Sequence, residues 1–257
     1  MLKNIKLIIF DLDGTLVNAY PAIIDSFNYT MRRFGLLEQE KGTIIRAVGL
    51  GDAQLLEPFL NGVAVDKALR VYRRHHARAL GKKTRFLPGA RRLLATLKQR
   101  HFKLAVASNR PTRFSHIILK HLKIKNYFDY ILCGDRISTL KPAPDMLFKI
   151  LRRFSCYPGQ ALYAGDMAID ILAGRRAGIK TVAVLTGSGT RQEIIKSRPF
   201  KIIRRIDALA KIVVSETESF QHGHPEEFKE FPGLSHGNRK AIPQGKIVRE
   251  ASILFHQ

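Results

Sequence analysis

The hydrophobic positions of this chain fall into short aliphatic runs that alternate with longer segments of helical spacing. The short runs lack polar alternation and are rich in β-branched residues, so they predict strands buried on both faces. They occupy residues 6–13, 103–108, 130–134, 161–165 and 180–186. Apolar residues at helical spacing predict helices at 88–100, 112–122, 143–154 and 168–177. This alternation predicts an α/β fold with a doubly wound parallel sheet.

One interval departs from the alternation. Residues 17–83 contain no convincing buried strand, but they show helical patterns around 20–34, 40–48, 52–60 and 66–80. A helical module inserted after the first strand would lie above the carboxyl ends of the sheet, where open α/β sheets bind ligands. It could act there as a lid. We therefore predict a catalytic core of residues 1–16 and 84–214 with an inserted α-helical cap of residues 17–83.

The C-terminal segment has a different composition. Residues 215–257 carry clusters of Glu, His, Gly and Pro with little periodicity, which predicts a disordered or weakly helical tail. The histidines of this tail have an irregular spacing that fits no standard metal site. They are His222, His224, His236 and His256.

Polar side chains that could carry chemistry follow the predicted strands. Because the carboxyl ends of parallel strands meet at one edge of a sheet, we expect these side chains to lie together. Taken singly, each has an ordinary structural explanation, such as a turn for Asp before Gly or a helix N-cap for Ser-Asn. The set comprises Asp11, Asp13, Ser108, Asn109, Lys141, Asp166 and Asp170.

The acidic members of this set need a compensating charge. Asp166 and Asp170 are four residues apart and are expected on one helix face, where unpaired like charges destabilise. A hard divalent cation with oxygen ligands would neutralise the carboxylates, and Mg²⁺ is usual where a phosphate is also bound. The hydroxyl of Ser108 and the amides of a helix start suit a phosphate. The sequence therefore predicts a site for Mg²⁺ and phosphate.

Four short motifs in chain order carry a resemblance to a known family. "DLDGT" (11–15), the serine at 108, "LKPAPD" (140–145) and "GDMAID" (165–170) together resemble the signature motifs of the haloacid dehalogenase superfamily. The resemblance covers roughly residues 5–213. It implies a Rossmann-like core and phosphoryl-transfer chemistry.

The resemblance implies roles for the catalytic residues. Asp11 resembles the nucleophile that attacks phosphorus and forms an aspartyl-phosphate. Asp13 resembles the general acid that protonates the leaving oxygen and later deprotonates the attacking water. Lys141 would offset the charge of the phosphoryl oxygens and orient Asp11.

The same resemblance implies the ligands of metal and phosphate. Mg²⁺ would be held by the carboxylates of Asp11 and Asp166 and by the backbone carbonyl of Asp13. Asp170 would act through water or support the other ligands. Ser108 and Asn109 would donate hydrogen bonds to the non-bridging phosphate oxygens, as fixed donors for a phosphoryl group.

Within the superfamily, the helical insert resembles the small cap of the phosphoglycolate phosphatase and β-phosphoglucomutase group. The segments "RAVGLGDAQLL" (46–56) and "VLTGSGTRQEI" (184–194) are similar to phosphoglycolate phosphatases. We expect Arg46 to read the substrate when the cap closes, although a surface arginine is an equal alternative. The basic run at 70–83 is interpreted as a solvated helix face.

The leading functional prediction is a Mg²⁺-dependent phosphatase that hydrolyses a small phosphorylated metabolite, with phosphoglycolate as the first candidate. Three alternatives stay open. They are a β-phosphoglucomutase-like phosphomutase, a nucleotide or pyrophosphate hydrolase, and a catalytically inactive basic relative that binds nucleic acid.

The charge of the chain changes this picture only in part. The formal net charge is +23 and the pI is about 10.4. Residues 215–257 hold five Lys or Arg and six Glu, so the first 214 residues carry 39 basic and 15 acidic side chains, a net +24. Such a field attracts anions. We expect this field to steer a small anionic phosphate ester to the site. We expect the protein to be a monomer or a homodimer, and we expect no nucleic-acid partner.

The sequence also bears on location. No apolar stretch approaches the roughly 20 residues of a bilayer span, and the first strand begins too early for a signal peptide. Cys133 and Cys156 match no metal motif or disulfide framework and are expected to be reduced. These observations predict a cytoplasmic protein with no membrane partner.

Overall fold

The protein is built around one parallel sheet. The structure, a computed structural model, describes residues 4–214. Its strands are β1 (Leu7–Phe10), β2 (Val17–Asn18), β3 (Arg85–Phe86), β4 (Lys103–Ser108), β5 (Tyr130–Cys133), β6 (Ala161–Gly165), β7 (Lys180–Val184) and β8 (Lys201–Ile203). Six of them form a sheet in the order β5-β4-β1-β6-β7-β8, and all neighbours in it are parallel. The predicted α/β fold is confirmed.

Helices connect the strands. They are α1 (Tyr20–Arg33), α2 (Lys41–Ala47), α3 (Asp52–Leu56), α4 (Val65–Lys83), α5 (Ala90–Gln99), α6 (Thr112–His121), α7 (Asp145–Arg153), α8 (Ala168–Arg176), α9 (Arg191–Lys196) and α10 (Leu209–Val214). The first eight lie within a few residues of the predicted helical patterns. The hydrophobic pattern did not predict α9, α10 or the strands β2, β3 and β8, because each of these elements is only two to six residues long.

The central strand β1 is buried on both faces. Side chains alternate across a strand, so Ile8 and Phe10 enter one hydrophobic cluster of the core while Leu7 and Ile9 enter the other. The chain runs from β1 to β4 and β5 on one side, then crosses to β6 on the other side. The strand order therefore reverses around β1, and the carboxyl ends of β1, β4 and β6 form the position where open α/β sheets bind ligands.

The helices α1 to α4 follow β2 and precede β3, which pair as a short antiparallel ribbon. They share a hydrophobic cluster that includes Phe27, Ile44, Leu56 and Tyr72. The ring of Phe27 packs edge-on against Phe59, with 5.2 Å between the centroids. The division of the chain into a core and a cap stays a prediction. The predicted tail, 215–257, lies outside the described residues.

Within residues 4–214, no helix combines the length and the apolar character needed to cross a bilayer.

The cluster shared by α1 to α4 generates a stability prediction. Phe27 is fully buried, so Phe27→Ala should lower the free energy of unfolding by about 3–5 kcal/mol through lost burial and a residual cavity. Urea unfolding followed by circular dichroism measures this change. Phe148 is partly exposed on α7, and Phe148→Ala should cost less than about 1 kcal/mol. Equal costs for the two variants would contradict the packing described for α1.

Candidate active site

The residues predicted for the site converge at the carboxyl ends of the central strands. Asp11 follows β1, Ser108 ends β4, and Asp166 follows β6. Lys141 lies in the loop between β5 and α7, and Asp170 lies in the first turn of α8. All five side chains are buried.

The ammonium group of Lys141 lies at the centre of this cluster. Its Nζ is 2.6 Å from Asp11 Oδ1 and 2.7 Å from Asp170 Oδ1. It also donates to the backbone carbonyl of Ala107 and to the hydroxyl of Tyr163, each at 3.0 Å. Burial alone would lower the pKa of Lys141, but attraction to Asp11 and Asp170 raises this pKa well above its usual range. The lysine is therefore a permanent cation between two carboxylates.

The carboxyl group of Asp11 has a perturbed acidity. Burial raises its pKa to about 7, repulsion from Asp170 adds to the rise, and Lys141 opposes it. The ionised form, which a nucleophile requires, thus depends on nearby positive charge.

Asp166 is held by two donors from different parts of the chain. The hydroxyl of Thr15 donates to its Oδ1 and the backbone N–H of Ser188 donates to its Oδ2, each at 3.1 Å. Burial, followed by repulsion from Asp11 and Asp170, raises the pKa of Asp166 well above its usual range. Its charge is therefore only partly compensated.

The expectation that Asp166 and Asp170 share one helix face is wrong. Helix α8 begins at Ala168, so Asp166 lies in the preceding loop and only Asp170 is helical. Asp170 accepts hydrogen bonds from the hydroxyl of Tyr163 at 2.7 Å and from the backbone N–H of Met167 at 3.0 Å. The loop, and not helical spacing, brings the two carboxylates together.

The three carboxylates fit a divalent metal. Asp11, Asp166 and Asp170 each offer an oxygen, and these oxygens lie within 4.8 Å of one another. Among the described residues, Lys141 is the cationic side chain that contacts these carboxylates, through Asp11 and Asp170. One ammonium against three ionised carboxylates leaves a net charge that a divalent cation would balance, and hard cations prefer oxygen ligands.

Gly14 allows the chain to turn between the aspartates and the rest of the site. Its φ is +78°, which is in the region that favours glycine. A Cβ at this position would lie 2.7 Å from the hydroxyl of Tyr20 and would meet the carboxylate of Asp166. The glycine of the DLDGT motif thus lets the backbone approach the carboxylate cluster closely.

Asp13 has a partner that the sequence analysis did not single out. Its Oδ2 accepts a hydrogen bond from Arg110 Nε at 2.6 Å. The other oxygen, Oδ1, is buried, with no hydrogen-bond partner among the described residues. Arg110 in turn donates from Nη1 to His76 Nε2 at 2.7 Å.

The basic run at 70–83 is therefore not uniformly a solvated face, because His76 is fully buried. Its ring stacks on Tyr72 and packs edge-on against Phe114. The available signal was positional: Arg110 directly follows the Ser108-Asn109 pair, and His76 falls on the apolar stripe of α4.

Ser108 and Asn109 have different surroundings. The Asn109 amide donates to the carbonyls of Lys141 and Gly49 at 3.1 and 3.0 Å, and its oxygen accepts from the Lys141 N–H at 2.9 Å. Ser108 Oγ accepts from the Arg110 N–H at 3.3 Å, which leaves its proton for donation. Neither residue caps α6, which begins at Thr112.

Arg46 lies on the last turn of α2 and is exposed. It forms an ion pair with Glu193, with 2.6 Å between Nη2 and Oε1, and it donates to the carbonyl of Ser188 at 3.2 Å. Its predicted role as a substrate reader stays a prediction.

A cavity of about 70 Å³ opens onto the cluster. Residues of the sheet edge and residues of the helices α1, α3 and α4 line it together. Members of the lining are Asp11, Asp13, Ser108, Asn109, Arg110, Lys141, Tyr20, Asp52, Leu55 and Tyr72. The lining includes two cationic side chains, Lys141 and Arg110, that would attract an anionic ligand.

Comparison with known proteins assigns the family. The family model for haloacid dehalogenase-like hydrolases matches residues 8–184. The chain belongs to this family. The match includes the four motifs that carried the resemblance, so the prediction of a hydrolase of this superfamily is confirmed.

Individual relatives in the haloacid dehalogenase-like family agree with this assignment. The chain is 34% identical over 206 residues to a phosphoglycolate phosphatase from Aquifex aeolicus, covering 79% of this chain and 97% of the relative. It is 32% identical over 224 residues to a phosphoglycolate phosphatase from Mannheimia succiniciproducens, covering 83% and 100%. The crystal structure of a predicted phosphoglycolate phosphatase from Haemophilus somnus has 27% identity, covers 82% of this chain and 99% of its own, and superposes with a TM-score of 0.76.

The charge balance around Lys141 generates a prediction. Lys141→Met should lower the free energy of unfolding by about 3–5 kcal/mol, because two buried carboxylates lose their cation. Chemical denaturation measures the change. Lys149→Met is the matched control, since Lys149 on α7 is only partly buried and donates to one backbone carbonyl. A cost below about 1 kcal/mol for Lys141→Met would contradict its central role.

The burial of His76 predicts a pH dependence of stability. Burial, followed by repulsion from Arg110, lowers the pKa of His76 well below its ordinary value of 6.5. Below that value the unfolded chain binds a proton that the folded chain does not, so this group reduces stability as the pH falls. His76→Gln should remove up to about 1.4 kcal/mol per pH unit from the slope of unfolding free energy between pH 5 and 6.5. An unchanged slope would contradict a neutral buried His76.

Proposed function

We propose that this protein is a Mg²⁺-dependent phosphatase that hydrolyses a small phosphorylated metabolite through an aspartyl-phosphate on Asp11, with phosphoglycolate as the first candidate substrate. The observation that carries the proposal is the contact of Lys141 with Asp11 at 2.6 Å beside the cavity. The relatives named phosphoglycolate phosphatase support the choice of substrate.

The first chemical step uses Asp11 and Asp13. A carboxylate oxygen of Asp11 attacks phosphorus and forms the aspartyl-phosphate, while the bond from phosphorus to the ester oxygen breaks. Asp13 gives a proton to that oxygen, and the alcohol leaves. In the second step the oxygen of water attacks phosphorus, and Asp13 takes a proton of the water. The bond from phosphorus to the Asp11 oxygen breaks, which releases phosphate and the free Asp11 carboxylate.

Lys141 and Ser108 prepare this chemistry. Lys141 holds the Asp11 carboxylate in place and offsets part of its charge. Burial still raises the pKa of Asp11 to about 7 beside this lysine, and a further positive charge would favour the ionised form that the nucleophile requires. The hydroxyl of Ser108 has its proton available for a phosphoryl oxygen. Asn109 fixes the Lys141 backbone through two hydrogen bonds. Preorganised donors of this kind stabilise charge in the transition state.

The metal supplies electrostatic screening. Asp11, Asp166 and Asp170 are the carboxylates that would hold Mg²⁺, with the Asp13 carbonyl as a further predicted ligand. When bound, the cation lowers the repulsion between the anionic nucleophile and the anionic phosphate. A small anionic ester as substrate and a cytoplasmic location remain predictions alongside this proposal.

Phosphate release tests the proposal. The wild type should release inorganic phosphate from phosphoglycolate only with added Mg²⁺, and Asp11→Asn should lower the rate at least about a thousandfold, because it removes the nucleophile. Asp66→Asn, an exposed aspartate in the first turn of α4, is the matched control and should keep the wild-type rate. The panel includes sugar phosphates, nucleotides and pyrophosphate, so the rates rank the substrate classes.

Three outcomes would contradict the proposal. Release that persists in Asp11→Asn would exclude the aspartyl-phosphate on Asp11. Conversion of one hexose phosphate into its isomer without phosphate release would indicate a phosphomutase. A folded wild type that releases nothing, but retains DNA or RNA at physiological salt, would indicate a binding protein, since weak phosphate-backbone binding is lost as salt rises.

A further inference from the structure

Arg110 is a buried arginine at the edge of the cavity. It follows Ser108 and Asn109 in the turn between β4 and α6. Only 8% of its side chain is exposed, its Nε is 2.6 Å from Asp13 Oδ2, and the residue lines the cavity. The catalytic roles proposed above do not use this guanidinium.

His76 fixes the orientation of Arg110. An arginine can only donate, so His76 Nε2 is the acceptor of the 2.7 Å contact and Nδ1 carries the ring proton. Nδ1 is 3.2 Å from the hydroxyl of Ser26, which itself donates to the carbonyl of Ala22 at 2.7 Å. Burial and repulsion from Arg110 lower the pKa of His76 well below its ordinary value, so the ring is neutral. The histidine therefore orients the guanidinium without neutralising it.

The two cations that line the cavity differ in the number of N–H donors that contacts with described residues leave available for a ligand. The Lys141 ammonium has three N–H donors, and it already contacts four acceptors. These acceptors are Asp11, Asp170, Tyr163 and the Ala107 carbonyl. Arg110 has contacts with one carboxylate and one histidine from described residues, at Nε and Nη1. Its other N–H donors remain for a ligand. A planar guanidinium suits a carboxylate, which it can bind through two parallel hydrogen bonds.

From this geometry we infer that Arg110, oriented by His76, binds a carboxylate of the substrate and is a specificity-determining residue. The inference rests on the proposed function and narrows its substrate class to phosphate esters of short hydroxycarboxylic acids. Asp13, which serves the leaving oxygen in the proposed chemistry, is in direct contact with Arg110. An anion held by Arg110 must therefore lie within a few bonds of that oxygen.

Arg46 is the other arginine predicted to read the substrate. Its guanidinium is exposed and is already paired with Glu193 at 2.6 Å and with the Ser188 carbonyl. It does not belong to the cavity lining. The structure therefore favours Arg110 over Arg46 as the residue that recognises the carboxylate.

The experiment compares two substrates that differ in one group. Phosphoglycolate carries a carboxylate, and the phosphate ester of glycolamide carries a neutral amide of similar size. The value of kcat/KM is measured with Mg²⁺ for both esters on the wild type, Arg110→Gln, Arg110→Lys and Arg46→Gln. Arg32→Gln is the matched control, because Arg32 is an exposed arginine paired with Glu38 on α1. Circular dichroism checks that each variant is folded.

The wild type should prefer phosphoglycolate by about 10- to 100-fold, the range expected for charge-assisted hydrogen bonds. Arg110→Gln should abolish this preference, mainly through KM for phosphoglycolate. Arg110→Lys, which keeps the charge but loses the paired donors, should retain part of it. The preference should be unchanged in Arg46→Gln and in Arg32→Gln. The ratio between the esters is the decisive value, because a merely structural effect on Asp13 would lower both rates together.

Other results would overturn the inference. Equal rates of the wild type on the two esters would refute it while leaving the proposed phosphatase intact. An equal loss on both esters in Arg110→Gln would restrict Arg110 to supporting Asp13. Loss of the preference in Arg46→Gln alone would assign carboxylate recognition to Arg46. Phosphate release from neither ester, nor from the wider panel, by the folded wild type would refute the proposed function and the inference with it.

Discussion

The arrangement of the active site depends on the contact of one ammonium group with buried carboxylates. Lys141 contacts Asp11 at 2.6 Å and Asp170 at 2.7 Å, and Asp166 lies near both without an ion pair to any described residue. Burying like charges together is costly unless they are compensated. The residues around the lysine reduce this cost locally: Tyr163 bridges to Asp170, and Asn109 holds the lysine backbone. A divalent cation held by the oxygens of Asp11, Asp166 and Asp170 would balance the remaining negative charge.

The sheet topology explains why this cluster could be predicted from the sequence. Each charged residue follows a strand whose apolar run is easy to identify, and parallel order brings the carboxyl ends of those strands to one edge. The fold and the grouping of Asp11, Ser108, Lys141 and Asp166 therefore followed from hydrophobic runs and motif order. Strand β8 escaped this reasoning because it is a three-residue edge strand with a lysine at its start.

Side-chain pairing was harder to predict, because it depends on distances between elements that are far apart in the sequence. The four-residue spacing predicts one helix face for Asp166 and Asp170, but the helix begins at Ala168, so the loop before it determines the position of Asp166. The contact from Asp13 through Arg110 to His76 joins three separate elements. A basic run is usually solvated, and only the helical spacing, which places His76 on the apolar stripe of α4, separates the buried His76 from exposed neighbours such as Arg74.

The helices α1 to α4 are tied to the sheet edge by polar contacts as well as by packing. Asn109 donates to the Gly49 carbonyl, Arg46 pairs with Glu193, and His76 accepts from Arg110. Each contact joins this helical region to a residue in or beside the carboxylate cluster.

Hydrogen bonds of this kind contribute about 0.5–1.5 kcal/mol each, which is less than the burial of a large apolar side chain. Two of these three contacts involve an arginine, and an anionic ligand would interact with those two more strongly than with the neutral contact of Asn109. The pair of Arg46 with Glu193 is exposed to water and screened, whereas Arg110 is buried beside Asp13. Because a buried charge interacts more strongly than a screened one, an anionic ligand in the cavity would interact more strongly with Arg110 than with Arg46.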